Sequence, residues 1–431
     1  MKSWRLSAVT KSSILNHLPL KSHRWSYYDL KYVFLGLLVL IDFIIIRKPI
    51  LPFRCAILAV FCIGLFVPYI RRFIVPASPI FAWLITFYAC QFIPLHYRPQ
   101  HIFVNILPTL ERILYGASLS EIISSHTHPV LDVLAWLPYG VIHFSFPFVL
   151  AALLFTFGPP GCLSLFGQAF GYMNIAGVLT QLLFPNASPW YELIYGSAPA
   201  DYSIPGEAGG LARIDKILGL ELYGSTFGNS PLVFGAFPSL HSGSATMEML
   251  FLTYLFPKMW PVGVAYTMWL WWSTMYLTHH YLIDLVGGSI YAFVVFFIAR
   301  KFLPKMDKSA HSRLSYLGIT RFSLKALFYS IEHKPDSFVM PDCSYVAIEI
   351  EHMTPSGRRR HGDDITREKL IPHKLDMGFM SSEEGEEEEG TLYTSNTSAV
   401  PSGSSTPTLR SVSPSMISIT EKPSKYSTAG P

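Results

Sequence analysis

Charge is what this 431-residue sequence has least of. Asp, Glu, Lys and Arg make up 14% of it, against 50% hydrophobic residues. A soluble domain draws about a quarter of its residues from the charged types, so a soluble enzyme is excluded and no nucleic-acid partner is expected. The formal net charge of +4 says little, because the placement of the charges matters more. Cysteine is also scarce: Cys55, Cys62, Cys90, Cys162 and Cys343. Four of these lie in or beside apolar runs, and none has the spacing of a metal site or a disulfide framework, so no cofactor or metal is expected. A cleavable signal pattern is missing too. The first long apolar run starts near Tyr32, behind a basic leader, and should act as a signal anchor.

Long apolar runs are present instead, and they fill the first 300 residues. Eight segments are read at 31–46, 53–70, 77–94, 130–157, 161–184, 241–257, 260–279 and 282–301, which describes a polytopic membrane protein. The leader, residues 1–30, holds Lys2, Arg5, Lys11, Lys21 and Arg24. The positive-inside rule places it in the cytosol. An even number of spans returns the chain there, in keeping with Arg300, Lys301, Lys305 and Lys308. Arg71-Arg72 agree with this topology; Arg47, Lys48 and Arg54 conflict with it. Residues 95–129 mix charges with Ile102, Ile106, Leu110, Ile113 and Leu114, a spacing that suits a helix lying in the interface or packing on the bundle.

Two stretches carry chemistry. Phe234-Gly-Ala-Phe-Pro-Ser-Leu-His-Ser-Gly243 sets Pro238, Ser239 and His241 at the start of an apolar run. Proline suits a first helical turn, and the free N–H groups of such a turn attract a phosphate. Thr278-His-His-Tyr-Leu-Ile-Asp284 sets His280 and Asp284 four residues apart, on one helical face. A carboxylate there can hold the Nδ1 proton of the imidazole and leave Nε2 as a nucleophile. A second histidine can act as general acid. A lone histidine at a membrane boundary is ordinary polar trim. An aspartate one turn into an apolar run is not, since an ionised side chain there costs roughly 2.5–3.5 kcal/mol.

Pro238-Ser-Leu-His241 and His280-x-x-x-Asp284 resemble the second and third motifs of the type 2 phosphatidic acid phosphatase superfamily. Leu232-Val-Phe-Gly-Ala-Phe-Pro-Ser-Leu-His-Ser-Gly243, Trp271-Trp-Ser-Thr-Met-Tyr-Leu-Thr-His-His-Tyr281 and Gly209-Gly-Leu-Ala-Arg-Ile-Asp215 are similar to the fungal inositol phosphorylceramide synthases, the family targeted by aureobasidin A. The resemblance covers about residues 25–305. It implies an all-α polytopic membrane protein, a helical bundle with a type 2 phosphatidic acid phosphatase-like core. It implies transfer of phosphoinositol from phosphatidylinositol to ceramide or phytoceramide, with His241, His280 and Asp284 as the catalytic triad. A small membrane-embedded accessory subunit, aureobasidin A as inhibitor and a Golgi location are implied as well. The superfamily's first motif, Lys-x6-Arg-Pro, is absent, and Ser273-Thr274 stand where its third motif begins Ser-Arg. Fewer cations fit a phosphodiester, with one negative charge, better than a phosphomonoester. That argues against the rival reading, a lipid phosphate phosphatase. The other rival is a transporter or structural subunit. A transporter would show internal repeats and charges near midplane, whereas the ionisable residues here gather at one face.

The remaining candidates fall in three places. The long non-cytosolic loop, 185–237, is rich in Gly, Pro, Tyr and paired charges and suits a polyhydroxyl head group. In it Arg213 is the first candidate for a phosphate clamp and Lys216 the second, with Asp215 beside them. A surface ion pair among these three is the plain alternative. His143-Phe144, inside an apolar run, read either as a histidine bonded to a neighbouring helix or as the wall of a lipid or inhibitor pocket. Residues 31–305 form the catalytic domain, and 306–431, with the acidic run 383–389 and a Ser/Thr/Pro-rich end, read as a disordered cytosolic tail.

Overall fold

The computed structural model describes residues 27–307 and 309–317. The chain divides into two units, Met1–Thr354 and Pro355–Pro431. The second unit lies outside the described residues, and so do residues 1–26 of the basic leader and the acidic run.

Among the described residues, eight long helical runs build the first unit. α1 (Leu30–Ile45), α2 (Leu51–Phe66) and α3 (Pro68–Ala89) come first. Two short helices, α4 (Ile106–Tyr115) and α5 (Leu119–Ser124), follow. Next, α6 (Pro129–Trp136) passes through a π-helical segment (Leu137–Ile142) into α7 (His143–Phe157). After α8 (Cys162–Leu183) the 185–237 loop carries α9 (Pro189–Tyr195), α10 (Leu211–Leu218) and α11 (Leu222–Gly228). The last long runs are α12 (Leu240–Leu255), α13 (Trp260–Tyr276) and α14 (Leu282–Arg300), with one turn, α15 (Arg313–Tyr316), after them. The expected all-α bundle is therefore what forms. Among the described residues, sheet-like pairing is limited to single bridges joining Phe103, Asn186 and Gly235.

Among the described residues, four runs are long and apolar enough to cross a membrane: Ile70–Phe92, Pro129–Phe157, Cys162–Leu183 and Leu282–Arg300. The protein is a multi-pass membrane protein. α1, α2, α12 and α13 have 16 or 17 residues. At about 1.5 Å per residue they are shorter than a ~30 Å hydrocarbon layer. Outward-facing Leu37, Leu40, Ile44, Ile63, Phe148, Val294 and Phe297 are exposed, as side chains that face acyl chains would be.

One boundary differs from the sequence expectation. The third segment starts at Pro68 rather than near 77, so Arg71, Arg72, Pro76 and Pro79 all lie inside α3. A proline inside a helix lacks an N–H and frees a carbonyl. Here the Ser78 hydroxyl donates to Val75 O at 2.8 Å, supplying the donor that Pro79 lacks. α3 then lies so close to α8 that a Cβ on Gly171 would meet the Pro79 backbone at 2.5 Å. The core joins Leu150 and Leu154 of α7, Phe166, Phe170 and Met173 of α8, Met247 and Phe251 of α12 and Phe296 of α14.

Candidate active site

The first turns of α12 and α14 are tied to each other. Ser239 caps α12, its hydroxyl accepting from Ser242 N at 3.3 Å, while its own N–H donates to Asp284 O at 3.0 Å. The Ser242 hydroxyl donates to Leu285 O. This closeness requires glycine at 288, where a Cβ would collide with the Ser239 carbonyl. Asp284 closes the start of α14 by accepting from Tyr281 N at 3.1 Å. The turn between α13 and α14 is strained at Thr278, a β-branched residue at φ 65°. Gly209, at φ 53°, packs against it; a Cβ there would lie 2.5 Å from Thr278 Oγ1. Gly210 N donates to Leu277 O at 3.0 Å. The loop glycines thus brace the histidine turn.

His241, His280 and Asp284 come together. His241 Nδ1 lies 3.2 Å from His280 Nε2. His280 Nδ1 lies 3.3 Å from Asp284 Oδ1, an ion-pair distance without hydrogen-bond alignment. Unliganded catalytic contacts are commonly loose in this way. Asp284 is fully buried. His279 points elsewhere: its Nε2 meets Ala208 O at 3.1 Å and its ring stacks on Phe227 and Tyr139. A carbonyl oxygen only accepts, so His279 carries its proton on Nε2.

Two neighbours were not singled out from the sequence. Tyr139 sits on the π segment and stacks on the His241 ring at 4.6 Å. Its signal was a Pro-Tyr-Gly interruption inside an apolar run, and π segments recur at functional sites. Glu111 of α4 is fully buried, accepts from Leu282 N at 2.7 Å and from the Ser118 hydroxyl at 3.3 Å. α4 therefore packs one face on the start of α14 and leaves Ile113 and Leu114 exposed, in keeping with the packing alternative read for 95–129. Burial raises the Glu111 pKa, the Leu282 N–H lowers it, and the nearby Asp284 charge raises it again.

The loop candidates occupy other positions. Arg213 pairs with Asp132 at 2.8 Å and lies over the Tyr276 ring. Asp215 accepts from Tyr223 N and Gly224 N and so caps α11. Lys216 is exposed. None of the three lines the cavity described next. His143 and Phe144 do line it; the His143 ring rests 4.7 Å from that of His241, and Phe144 is largely exposed.

A cavity of about 750 Å³ runs from His241, His279 and His280 down between α3, α7, α8 and α12 to Arg72 and Arg313. Its walls are mainly apolar, with Ile80, Trp83, Phe87, Phe166 and Phe170 among them. Phe73 and Leu84 of α3 and Phe144 and Phe148 of α7 line it and are exposed as well. The cavity thus opens sideways between α3 and α7.

No solved structure matches the chain. The PAP2 superfamily pattern matches residues 107–298, which include both histidine stretches. The inositol phosphorylceramide synthase of Candida albicans is 47% identical over 310 residues, 72% of this chain and 65% of that protein. The inositol phosphorylceramide synthase catalytic subunit of Schizosaccharomyces pombe is 46% identical over 317 residues, 72% of this chain and 75% of that protein. Its Saccharomyces cerevisiae counterpart is 48% identical over 297 residues, 68% and 73%. Identity of this order over three quarters of a relative's length, enclosing both motifs, settles descent: the chain belongs to the inositol phosphorylceramide synthase family, within the PAP2 superfamily.

Proposed function

We propose that this protein transfers phosphoinositol from phosphatidylinositol to the primary hydroxyl of ceramide or phytoceramide and releases diacylglycerol. The observation that carries the reading is the His241–His280–Asp284 contact at the head of an apolar cavity that opens sideways, in a chain close to proteins named for that product. In the mechanism, Asp284 keeps the proton on Nδ1 of His280, so Nε2 holds a lone pair. The proton shared with His241 then sits on His241 Nδ1. Nε2 attacks phosphorus, the bond to the diacylglycerol oxygen breaks, and doubly protonated His241 gives that oxygen a proton. His241, now short of that proton, takes one from the ceramide hydroxyl as its oxygen attacks the phosphohistidine, and His280 leaves neutral. In-line displacement puts the leaving oxygen beyond phosphorus, with the reacting atoms about 3–3.5 Å apart. The two rings, 3.2 Å apart when empty, must part when the lipid binds.

Ser239 acts through its cap and first-turn N–H groups rather than as a free hydroxyl, since it is fully buried. Arg213, with Asp132 taking up its charge, holds α10 against α6; Lys216, exposed and outside the cavity lining, is the remaining loop candidate for a phosphate clamp. His143 and Phe144 form the lipid wall and the seat of aureobasidin A. The names of two relatives call them catalytic subunits, which supports a further, accessory subunit. Purified protein given labelled phosphatidylinositol and ceramide should yield labelled inositol phosphorylceramide. Steady hydrolysis of a lipid phosphomonoester, without such a product, would favour a phosphatase instead.

The site faces the Golgi lumen in this reading, with eight spans and both termini cytosolic. Ser197 is exposed on the 185–237 loop. In a protein freed of its five cysteines, Ser197→Cys should react with an impermeant thiol reagent only after sealed vesicles are opened; labelling from the cytosolic side overturns the topology. The tail beyond about residue 330 has no part in the chemistry: truncation should leave the transfer rate within a few-fold, and loss of activity in a well-expressed, correctly located truncation refutes this.

A further inference from the structure

Asn174 is a polar residue on the cavity wall that nothing in this mechanism uses. It sits in the middle of α8 and is 0% exposed. Its Nδ2 donates to Phe170 O at 2.8 Å. That bond fixes the amide orientation, because the reverse placement would set oxygen against oxygen. Oδ1 is therefore turned away from the Phe170 carbonyl, and it has no hydrogen-bond partner. Leaving a buried acceptor unpaired is unfavourable. A leucine would fill the same volume without that cost.

The packing fixes its depth. A Cβ on Gly177 would touch Leu240, and a Cβ on Gly243 would lie 3.3 Å from Met173 Sδ. α8 and α12 thus run in opposite directions, with 177 level with 240 and 173 level with 243. Asn174 falls beside residues 242–243, about one helical turn or less below His241. Ser244 and His241 share the same cavity wall. Gln181, seven residues on, has its Nε2 committed to Pro238 O at 2.9 Å.

We propose that Asn174 Oδ1 accepts a hydrogen bond from a hydroxyl of the acceptor lipid's sphingoid chain, beyond the primary hydroxyl that reacts. This rests on the transferase reading above. An acceptor whose primary hydroxyl lies at the histidines has its next hydroxyls, at C-3 and in phytoceramide at C-4, a few ångströms deeper. Phosphatidylinositol, whose acyl chains hang from esters, brings no such donor to that depth. Asn174 is thus a positioning residue that distinguishes the acceptor from the donor lipid.

The test compares wild type with Asn174→Leu and Asn174→Ser in nanodiscs. KM and kcat are measured for phytoceramide, for dihydroceramide and for a 3-deoxy analogue, alongside KM for phosphatidylinositol. Asn174→Leu should raise KM for the natural acceptors roughly 5- to 100-fold, the worth of the bond, and leave KM for phosphatidylinositol within twofold. Asn174→Ser, which keeps an acceptor atom, should recover part of the loss. Wild type should lose its advantage over Asn174→Leu on the analogue lacking the bonded hydroxyl; 3-deoxy against 4-deoxy (dihydroceramide) identifies which one. An equal penalty on every acceptor, an effect on phosphatidylinositol alone, or no effect overturns the proposal. Thermal stabilisation by phytoceramide without phosphatidylinositol is read in parallel. If wild type binds the acceptor and fails to make inositol phosphorylceramide, the transferase reading falls. The loss or retention of that stabilisation in Asn174→Leu still decides the role of Asn174.

Discussion

His280→Ala should abolish transfer, by roughly 10⁴-fold or more, the scale on which loss of a covalent catalytic group is felt. The neighbouring change His279→Ala should leave part of the activity. The two residues are adjacent, yet only His280 Nε2 faces His241 and only His280 Nδ1 faces a carboxylate. His279 spends its Nε2 on the Ala208 carbonyl and its ring on Phe227 and Tyr139, so its removal loosens the loop without removing the reacting atom. Asp284→Asn should be nearly as severe as His280→Ala, because an amide can donate to Nδ1 and select the wrong tautomer. With head-group-labelled phosphatidylinositol and no ceramide, wild type should retain acid-labile label on the protein, and His280→Ala none. Full activity in His280→Ala would remove it as nucleophile. Transfer by wild type with no trapped label would favour direct attack, with His280 as base.

Much of this arrangement was legible because it is local. Pro238-Ser239 before His241, and His280 four residues before Asp284, fix their geometry within a single turn each, and helix periodicity alone brings them to the starts of apolar runs. Residues that act across the fold left weaker traces. Glu111 reaches Leu282 from 171 positions away, and nothing near it in sequence signals that contact. The partners of Arg213 were legible only as neighbours in the chain. The structure takes its guanidinium to Asp132, 81 positions upstream, instead of to Asp215. Asp215 turns to the α11 backbone instead. The third segment was expected to start near 77, and α3 starts at Pro68; its polar Arg71 and Arg72 hide the first turns from an apolar-run reading, and the Ser78 hydroxyl donates to the Val75 carbonyl that Pro79 frees.

His241→Ala should cost transfer about 10²–10⁴-fold, the usual worth of a general acid, and the loss should depend on the leaving group. His241 stands where it can serve both halves of the reaction, its Nδ1 3.2 Å from the nucleophile and its ring held between Tyr139 and His143. Diacylglycerol leaves as an alkoxide unless a proton reaches it, so the first half-reaction needs the acid. An aryl phosphodiester of inositol has a leaving group that departs without protonation. On that substrate, His241→Ala should form the labelled enzyme at close to the wild-type rate. Transfer onward to ceramide should stay slow, because the acceptor hydroxyl still lacks its base. Such a split separates acid from scaffold: a variant that merely loosens the packing of Tyr139 and His143 on position 241 would lose both substrates alike. An equal loss in the first step on the aryl and the natural lipid would therefore take the proton-transfer role away from His241 and leave it a packing residue of the site.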